Sequence, residues 1–160
     1  MATRSTSKIG AIKSQKPIIF LHGGPGSSTK DKHRLSFDPK TQRVIFFDQR
    51  GCGKSTPLGR WHHNNTQELA ADITRIADYL KVDTFILTGE SWGSCLALYY
   101  AICEPRRVSA LVVGGVFTGS QAEIDWLDEG LFQAHFPDVW ERYLAATPKQ
   151  HQKPRRIPYC

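Results

Sequence analysis

The stretch at residues 85–103 constrains the fold more than any other part of this sequence. Residues 85–88 form a short apolar run of β-branched and aromatic side chains, which predicts a buried strand. A second apolar run begins at residue 95 and continues at helical spacing through Ile102, which predicts a helix. Between the two runs stands Gly-Glu-Ser-Trp-Gly at 89–93. The chain must therefore turn sharply from a strand into a helix at Ser91.

A serine at the apex of such a turn has a strained backbone, and its hydroxyl group projects above the sheet. The flanking Gly89 and Gly93 leave room for the strand and the helix to approach each other closely. An exposed and rigidly held hydroxyl group is what nucleophilic catalysis requires. The pattern therefore predicts Ser91 as a nucleophile.

Further strands and helices alternate around this turn. Apolar runs at residues 17–21, 43–48 and 108–113 predict three more strands, the last of them ending at the glycines 114 and 115. A helix is predicted from Asn65, which stands in capping-box spacing with Glu68, and Pro105 is expected to stop the helix that follows Ser91. The apolar face of the helix that starts at Asn65 comprises Leu69, Ile73, Ile76 and Leu80. Strands alternating with helices predict an α/β fold with a mostly parallel sheet and flanking helices.

After residue 116 the pattern changes to helical periodicity with many large aromatic side chains. Residues 121–146 are predicted to form amphipathic helices. These helices could be an excursion that covers a site, or ordinary helices that pack on the edge of the sheet. The sequence leaves both interpretations open.

The net charge of +6 comes from the two ends of the chain. The ends carry no acid, so the residues between them have a net charge of −2, and no nucleic-acid partner is expected. The basic residues of the two ends are Arg4, Lys8, Lys13, Lys16, Lys149, Lys153, Arg155 and Arg156. Residues 1–16 are predicted to be a flexible leader, although their composition is also typical of a transit peptide, and residues 147–160 a disordered basic tail.

The four cysteines lack the spacing of a metal site, and two of them, Cys95 and Cys103, fall in a helix expected to be buried. Reduced thiols favour a cytoplasmic protein. No apolar run reaches the length of a membrane span, so no membrane partner is expected. The pattern predicts neither a metal nor a cofactor.

Two glycine-rich loops follow the first two predicted strands. His-Gly-Gly-Pro-Gly at 22–26 could form a tight loop or could supply a backbone donor to an oxyanion hole. The second loop, at 48–57, contains Gly-Lys-Ser, but the position where a phosphate-binding loop needs its first glycine is Asp48. We expect Asp48 and Arg50 to brace this second loop through charge-assisted hydrogen bonds.

The loops at 22–26 and 48–57 and the serine turn, in this order, resemble the prolyl aminopeptidases, also called proline iminopeptidases. These are α/β-hydrolase serine peptidases that release N-terminal proline from peptides. The resemblance extends over residues 17–147, and residues 136–140 resemble the start of the family's helical cap. It implies that residues 17–117 are the N-terminal part of the core and that residues 118–146 begin the cap.

The resemblance also implies roles for single residues. Ser91 would be the nucleophile, and the backbone N–H groups of Gly24 and Trp92 would form the oxyanion hole. The substrate would be a peptide with an N-terminal proline, and no cofactor or metal would be needed. Glu90 departs from the family pattern, since many members have a small residue there.

The Asp and His that complete a catalytic triad are not evident, although 69 residues follow Ser91. His135 falls in the cap-like helices and His151 in the tail, so neither is expected to be the base. We expect the chain to be the N-terminal portion of such a hydrolase and to be inactive alone. The alternatives are a general esterase with the same fold, or a non-catalytic protein that binds a partner through an open sheet edge.

Overall fold

The computed structural model describes residues 16–147 of the chain. Four parallel strands form one sheet in the order β2-β1-β3-β4, which confirms the predicted parallel sheet. The strands are β1 Ile18–Leu21, β2 Val44–Phe46, β3 Phe85–Ser91 and β4 Val108–Val116. The predicted leader and tail lie outside the described residues, except for Lys16 and Thr147.

The described residues also form six α-helices. They are α1 Asp31–Leu35, α2 Thr66–Tyr79, α3 Trp92–Cys103, α4 Gln121–Asp125, α5 Phe132–His135 and α6 Pro137–Ala146. The short α1 was not predicted. The region after residue 120 is helical as predicted but is divided, because a π-helical turn, Trp126–Leu131, follows α4, and because Pro137 starts a new helix. Contacts divide the chain into two compact units, one ending at Phe117 and the other beginning at Thr118.

The core of the first unit lies between β3 and the helices α2 and α3. Phe85, Leu87 and Tyr100 are fully buried, and the rings of Phe85 and Tyr100 lie 5.8 Å apart. The predicted start of α2 is confirmed, because the Asn65 side chain accepts a hydrogen bond from the N–H of Glu68. On the predicted apolar face, Leu69 and Ile73 are buried, whereas Ile76 and Leu80 are half-buried.

The prediction that β4 ends at its two glycines is wrong, since the strand continues to Val116. Gly114 pairs with Glu90, and Val116 pairs with Ser91, so Gly115 is an extra residue in the register. Its φ of 50° lies in the left-handed region, which glycine adopts without steric cost. Gly115 therefore forms a β-bulge opposite the end of β3.

Strand β4 forms an uncovered edge of the described sheet. It pairs with β3 on one side only, and Val112 and Val116 are 59% and 57% exposed. Long apolar edge strands are templates for pairing with another chain. Within the described residues, this edge is the part of the sheet most exposed to association.

Among residues 16–147, the cysteines Cys52, Cys95 and Cys103 form no disulfide bond. Cys52 and Cys95 are buried, but Cys103 is exposed. The prediction that the cysteines of α3 are buried is therefore confirmed for Cys95 and wrong for Cys103. Cys103 is the last residue of α3, where the helix leaves the sheet surface. None of the described helices is long and apolar enough to cross a membrane.

A buried histidine ties the exits of β1 and β2 together. His22 directly follows β1, and its Nε2 accepts a hydrogen bond of 3.0 Å from the backbone N–H of Gln49. Its Nδ1 donates to the carbonyl oxygen of Gly23 at 2.9 Å. The two bonds together require the neutral ring with the proton on Nδ1. Burial lowers the pKa of His22, and this outweighs the hydrogen bond to Gly23 and the charge of Asp48, which raise the pKa.

The lowered pKa of His22 predicts loss of stability in acid. Because the unfolded state binds a proton on this histidine at a higher pH than the folded state does, the free energy of unfolding falls as the pH drops below about 6.5. We expect the thermal unfolding midpoint to fall between pH 7.5 and 5.5. The fall should be smaller in His22→Gln and unchanged in the control His62→Gln, which alters an exposed histidine. An equal fall in His22→Gln would contradict the assignment.

The exposed β4 edge predicts self-association of the isolated chain. Size-exclusion chromatography over a range of concentrations should show oligomers or aggregates. Val112→Lys places a charge on the edge and should shift the chain toward the monomer. Leu35→Lys is the control, because Leu35 is 86% exposed on α1 and lies away from β4. A wild-type chain that stays monomeric at every concentration would contradict this prediction.

Candidate active site

Ser91 is the last residue of β3, and α3 begins at the next residue. The sequence prediction of a strand, a sharp turn and a helix is therefore confirmed. The φ and ψ of Ser91 are 54° and −124°, a conformation that residues with a side chain rarely adopt. Ser91 is exposed. Its hydroxyl group is thus held at the surface by a strained backbone, as nucleophilic attack requires.

The two glycines that flank Ser91 allow the strand and the helix to touch. A methyl group on Gly89 would overlap the carbonyl oxygen of Gly93. A methyl group on Gly93 would overlap the carbonyl oxygen of Leu21, the last residue of β1. Any side chain at either position would force β3, α3 or β1 apart. These contacts fix the geometry of the turn at Ser91.

The Ser94 side chain supports the turn at Ser91 through hydrogen bonds that were not predicted from the sequence. Its buried hydroxyl donates a hydrogen bond of 2.6 Å to the carbonyl oxygen of Ser91. The same hydroxyl accepts a hydrogen bond of 2.9 Å from the N–H of Phe117, just past β4. The available signal was a serine three residues after Ser91, directly before the apolar run that begins at residue 95. Ser94 thus ties the turn to the exit of β4.

The glycine-rich loop at residues 22–26 lies directly against the serine. A methyl group on Gly23 would lie 3.4 Å from Ser91 Cβ and 4.0 Å from Ser91 Oγ. Gly24, the next residue, has a φ of 136°, which favours glycine. The fold therefore brings together two parts of the predicted site, the serine turn and the loop that contains Gly24. Trp92, the other predicted oxyanion donor, directly follows Ser91.

Asp48 and Arg50 brace the second loop, as predicted. The Asp48 carboxylate accepts hydrogen bonds from the backbone N–H groups of Thr29 at 2.7 Å and Lys54 at 2.8 Å. It therefore joins the loop after β2 to the segment that follows the first glycine-rich loop. A carboxylate that accepts one backbone hydrogen bond on each oxygen has a structural role in this loop.

Arg50 anchors the same loop to α2. Its guanidinium group donates to both carboxylate oxygens of Asp72 at 2.7 Å and lies 3.1 Å from Glu68. The hydrogen bond to Asp72 is the main cause that raises the pKa of Arg50. The partners on α2 could not be read from the sequence, because they lie about twenty residues away along the chain.

A cavity of about 220 Å³ lies between the two glycine-rich loops, and Ser91 is not among the residues that line it. Its lining includes Pro25, Gly26, Arg50, Cys52 and Trp61. Burial raises the pKa of the Cys52 thiol, so this cysteine stays protonated and is a poor nucleophile. Among residues 16–147, no cluster of three metal-binding side chains is present.

The histidine side chains among residues 16–147 are not hydrogen-bonded to Ser91. Both ring nitrogens of His22 are already hydrogen-bonded, to Gly23 and Gln49. The Nδ1 of His135 hydrogen-bonds to the carbonyl oxygen of Leu131 within the second unit. His151 lies outside the described residues. Within residues 16–147, the Ser91 hydroxyl makes no hydrogen bond to a histidine, so the catalytic base stays unassigned.

Curated relatives share the sequence pattern over most of this chain. A proline iminopeptidase from Arabidopsis thaliana is 43% identical over 136 residues, which are 85% of this chain and 36% of the relative. A probable proline iminopeptidase from Leptolyngbya boryana is 42% identical over 137 residues, which are 86% of this chain and 43% of the relative. The chain thus spans less than half the length of the relatives it matches.

The fold comparison agrees with the sequence comparison. The crystal structure of VinJ superposes with a TM-score of 0.68 at 26% identity, over 90% of this chain and 52% of that one. The profile of the alpha/beta hydrolase fold matches residues 16–156, nearly the whole sequence. The chain belongs to the alpha/beta hydrolase fold family.

Proposed function

We propose that this chain carries the nucleophile and oxyanion hole of a serine exopeptidase that releases N-terminal proline from peptides. The observation that carries the proposal is the position of Ser91, strained and exposed against the Gly23 loop. The identity of more than 40% to proline iminopeptidases supports this substrate class. The proposal concerns the complete enzyme, since the chain spans less than half of these relatives.

In the proposed reaction, Ser91 Oγ attacks the carbonyl carbon of the N-terminal proline. The tetrahedral intermediate then expels the rest of the peptide as an amine, which leaves a prolyl ester on Ser91. Water hydrolyses the ester and releases proline. The reaction needs no redox cofactor, because each step is an acyl transfer.

The backbone N–H groups of Gly24 and Trp92 are proposed to bind the oxyanion of each tetrahedral intermediate. Gly24 directly follows Gly23, and Trp92 directly follows Ser91. Gly23 and Ser91 lie against each other. Loss of one such donor costs about 3 kcal/mol of transition-state stabilisation in comparable sites. The proton of Ser91 must pass to a base. We assign this base and its acidic partner to the part of the relatives that this chain does not match.

We infer that residues 17–117 form part of the catalytic core and that residues 118–146 begin a helical cap. The capping box of Ser120 and Glu123 at the start of α4 supports a distinct helical segment here. The lack of a disulfide among the three described cysteines supports a reducing compartment such as the cytoplasm. A peptide with a free N-terminal proline is the proposed partner.

Fusion to a complementary fragment tests this function. The chain alone should hydrolyse proline p-nitroanilide negligibly, whereas a fusion to the unmatched C-terminal portion of the Leptolyngbya relative should hydrolyse it. Ser91→Ala in the fusion should reduce kcat about 10⁴- to 10⁶-fold, while the control Ser36→Ala, at an exposed helix end, should not. If the fusion folds but hydrolyses simple acyl esters in preference to the prolyl substrate, the proposed peptidase function is wrong and an esterase function is indicated.

The contact between Gly23 and Ser91 predicts a second effect on activity. Gly23→Ala places a methyl group 3.4 Å from Ser91 Cβ and 3.2 Å from the carbonyl oxygen of Glu90. This crowding should lower the kcat/KM of the fusion about 10- to 100-fold, because small displacements of reacting groups are costly. The matched control is Gly114→Ala, where a methyl group would meet only Glu90 Cγ, at 3.9 Å. Equal activity of the two variants would contradict the site geometry.

A further inference from the structure

Gln49 is a buried polar residue that the proposed reaction does not use. It lies three residues beyond the end of β2 and is 3% exposed. His22 and Trp92, at 0% and 2% exposed, are its hydrogen-bonding partners. Buried amide groups are costly unless they are satisfied, so a buried glutamine implies specific contacts.

The Gln49 side chain joins two separate motifs. Its Nε2 donates a hydrogen bond of 2.8 Å to the carbonyl oxygen of His22. Its Oε1 accepts a hydrogen bond of 3.0 Å from the indole Nε1–H of Trp92. One end of the amide therefore holds the first glycine-rich loop, and the other end holds the residue after the nucleophile.

The backbone of Gln49 adds a third bond to the same cluster. Its N–H donates to Nε2 of His22, whose Nδ1 donates in turn to the carbonyl oxygen of Gly23. His22 is therefore held both at its ring and at its carbonyl group by a single residue. The loop that leads to Gly24 cannot shift without breaking these buried bonds.

We propose that Gln49 is a positioning residue, which sets the spacing between the Gly24 loop and Trp92 through hydrogen bonds to His22 and Trp92. The inference rests on the proposed function, because Gly24 and Trp92 are the proposed oxyanion donors. Two donors on different segments stabilise one oxygen atom only if their separation is fixed before the reaction. The amide of Gln49 links the loop that contains Gly24 to Trp92, the first residue of α3.

The competing explanation is that Gln49 only fills space and stabilises the core. Both explanations predict that its loss lowers the unfolding temperature. Only the positioning role predicts that loss of the amide loosens two segments distant in sequence, residues 20–26 and 88–96, more than the rest of the sheet. A local measurement along the chain therefore separates the two explanations.

The test is hydrogen-exchange mass spectrometry on the 160-residue chain with the near-isosteric variant Gln49→Met. Methionine keeps the length of the side chain and removes both hydrogen bonds of the side-chain amide. The matched control is Gln42→Met, because Gln42 Oε1 accepts a single hydrogen bond of 2.7 Å from the N–H of Asp38, away from the site. Peptides that cover residues 20–26 and 88–96 are compared with peptides that cover α2 and β4.

We expect both site segments of Gln49→Met to exchange about tenfold faster, with α2 and β4 changed less than twofold. Gln42→Met should change neither site segment. At a pH where its carboxyl group is ionised, Gln49→Glu accepts from Trp92 but cannot donate to His22, so it should restore slow exchange at 88–96 and leave 20–26 fast. If Gln49→Met accelerates exchange uniformly, or at neither site segment, the positioning role is wrong.

A second readout covers the case in which a variant unfolds. In the wild-type chain, the indole N–H of Trp92 should exchange with solvent at least about tenfold more slowly than that of Trp61, which is 75% exposed. The indole signals are assigned by nuclear magnetic resonance with Trp92→Phe. Equal exchange at the two indoles would overturn the inference. Neither readout depends on activity. Failure of the proposed peptidase function can therefore be distinguished from failure of the positioning role.

Discussion

The close contact between β3, α3 and the end of β1 is the constraint on which the site depends. It is made by backbone atoms of Gly89, Gly93 and Leu21, with no room for a side chain at either glycine. Because backbone atoms touch directly, the turn cannot relax, and Ser91 stays at a φ of 54°. The strain is held by the burial of β3 and α3, whose side chains Phe85, Leu87 and Tyr100 form the core. The packing of the core thus places Ser91.

The parallel sheet explains why three distant motifs meet. Strands β1, β2 and β3 run in the same direction, so the loops after them emerge at the same edge. Buried hydrogen bonds then lock these loops together, with His22 and Gln49 between them. Ion pairs of Arg50 extend the locking to α2. Hydrogen bonds and ion pairs therefore join the loops at the carboxyl ends of these strands. Strand β4, at the side of the sheet, is uncovered within the described residues.

Membership in the alpha/beta hydrolase family and the coverage of the relatives are separate facts with separate consequences. The first rests on a match over residues 16–156, and it agrees with the observed sheet. The second means that the proline iminopeptidases it resembles are longer chains, of which this chain matches less than half.

The sequence by itself determined the features whose causes are local. The strand-turn-helix at Ser91, the cap at Asn65 and the end of α3 before Pro105 depend on neighbouring residues, and each was predictable. The roles assigned to Ser91, Gly24 and Trp92 came from resemblance and remain predictions. Only the tertiary structure decided the partners of Gln49, Ser94 and Arg50, because these bonds join residues far apart along the chain or across elements. The bulge at Gly115 likewise arises from pairing with β3, which no local pattern encodes.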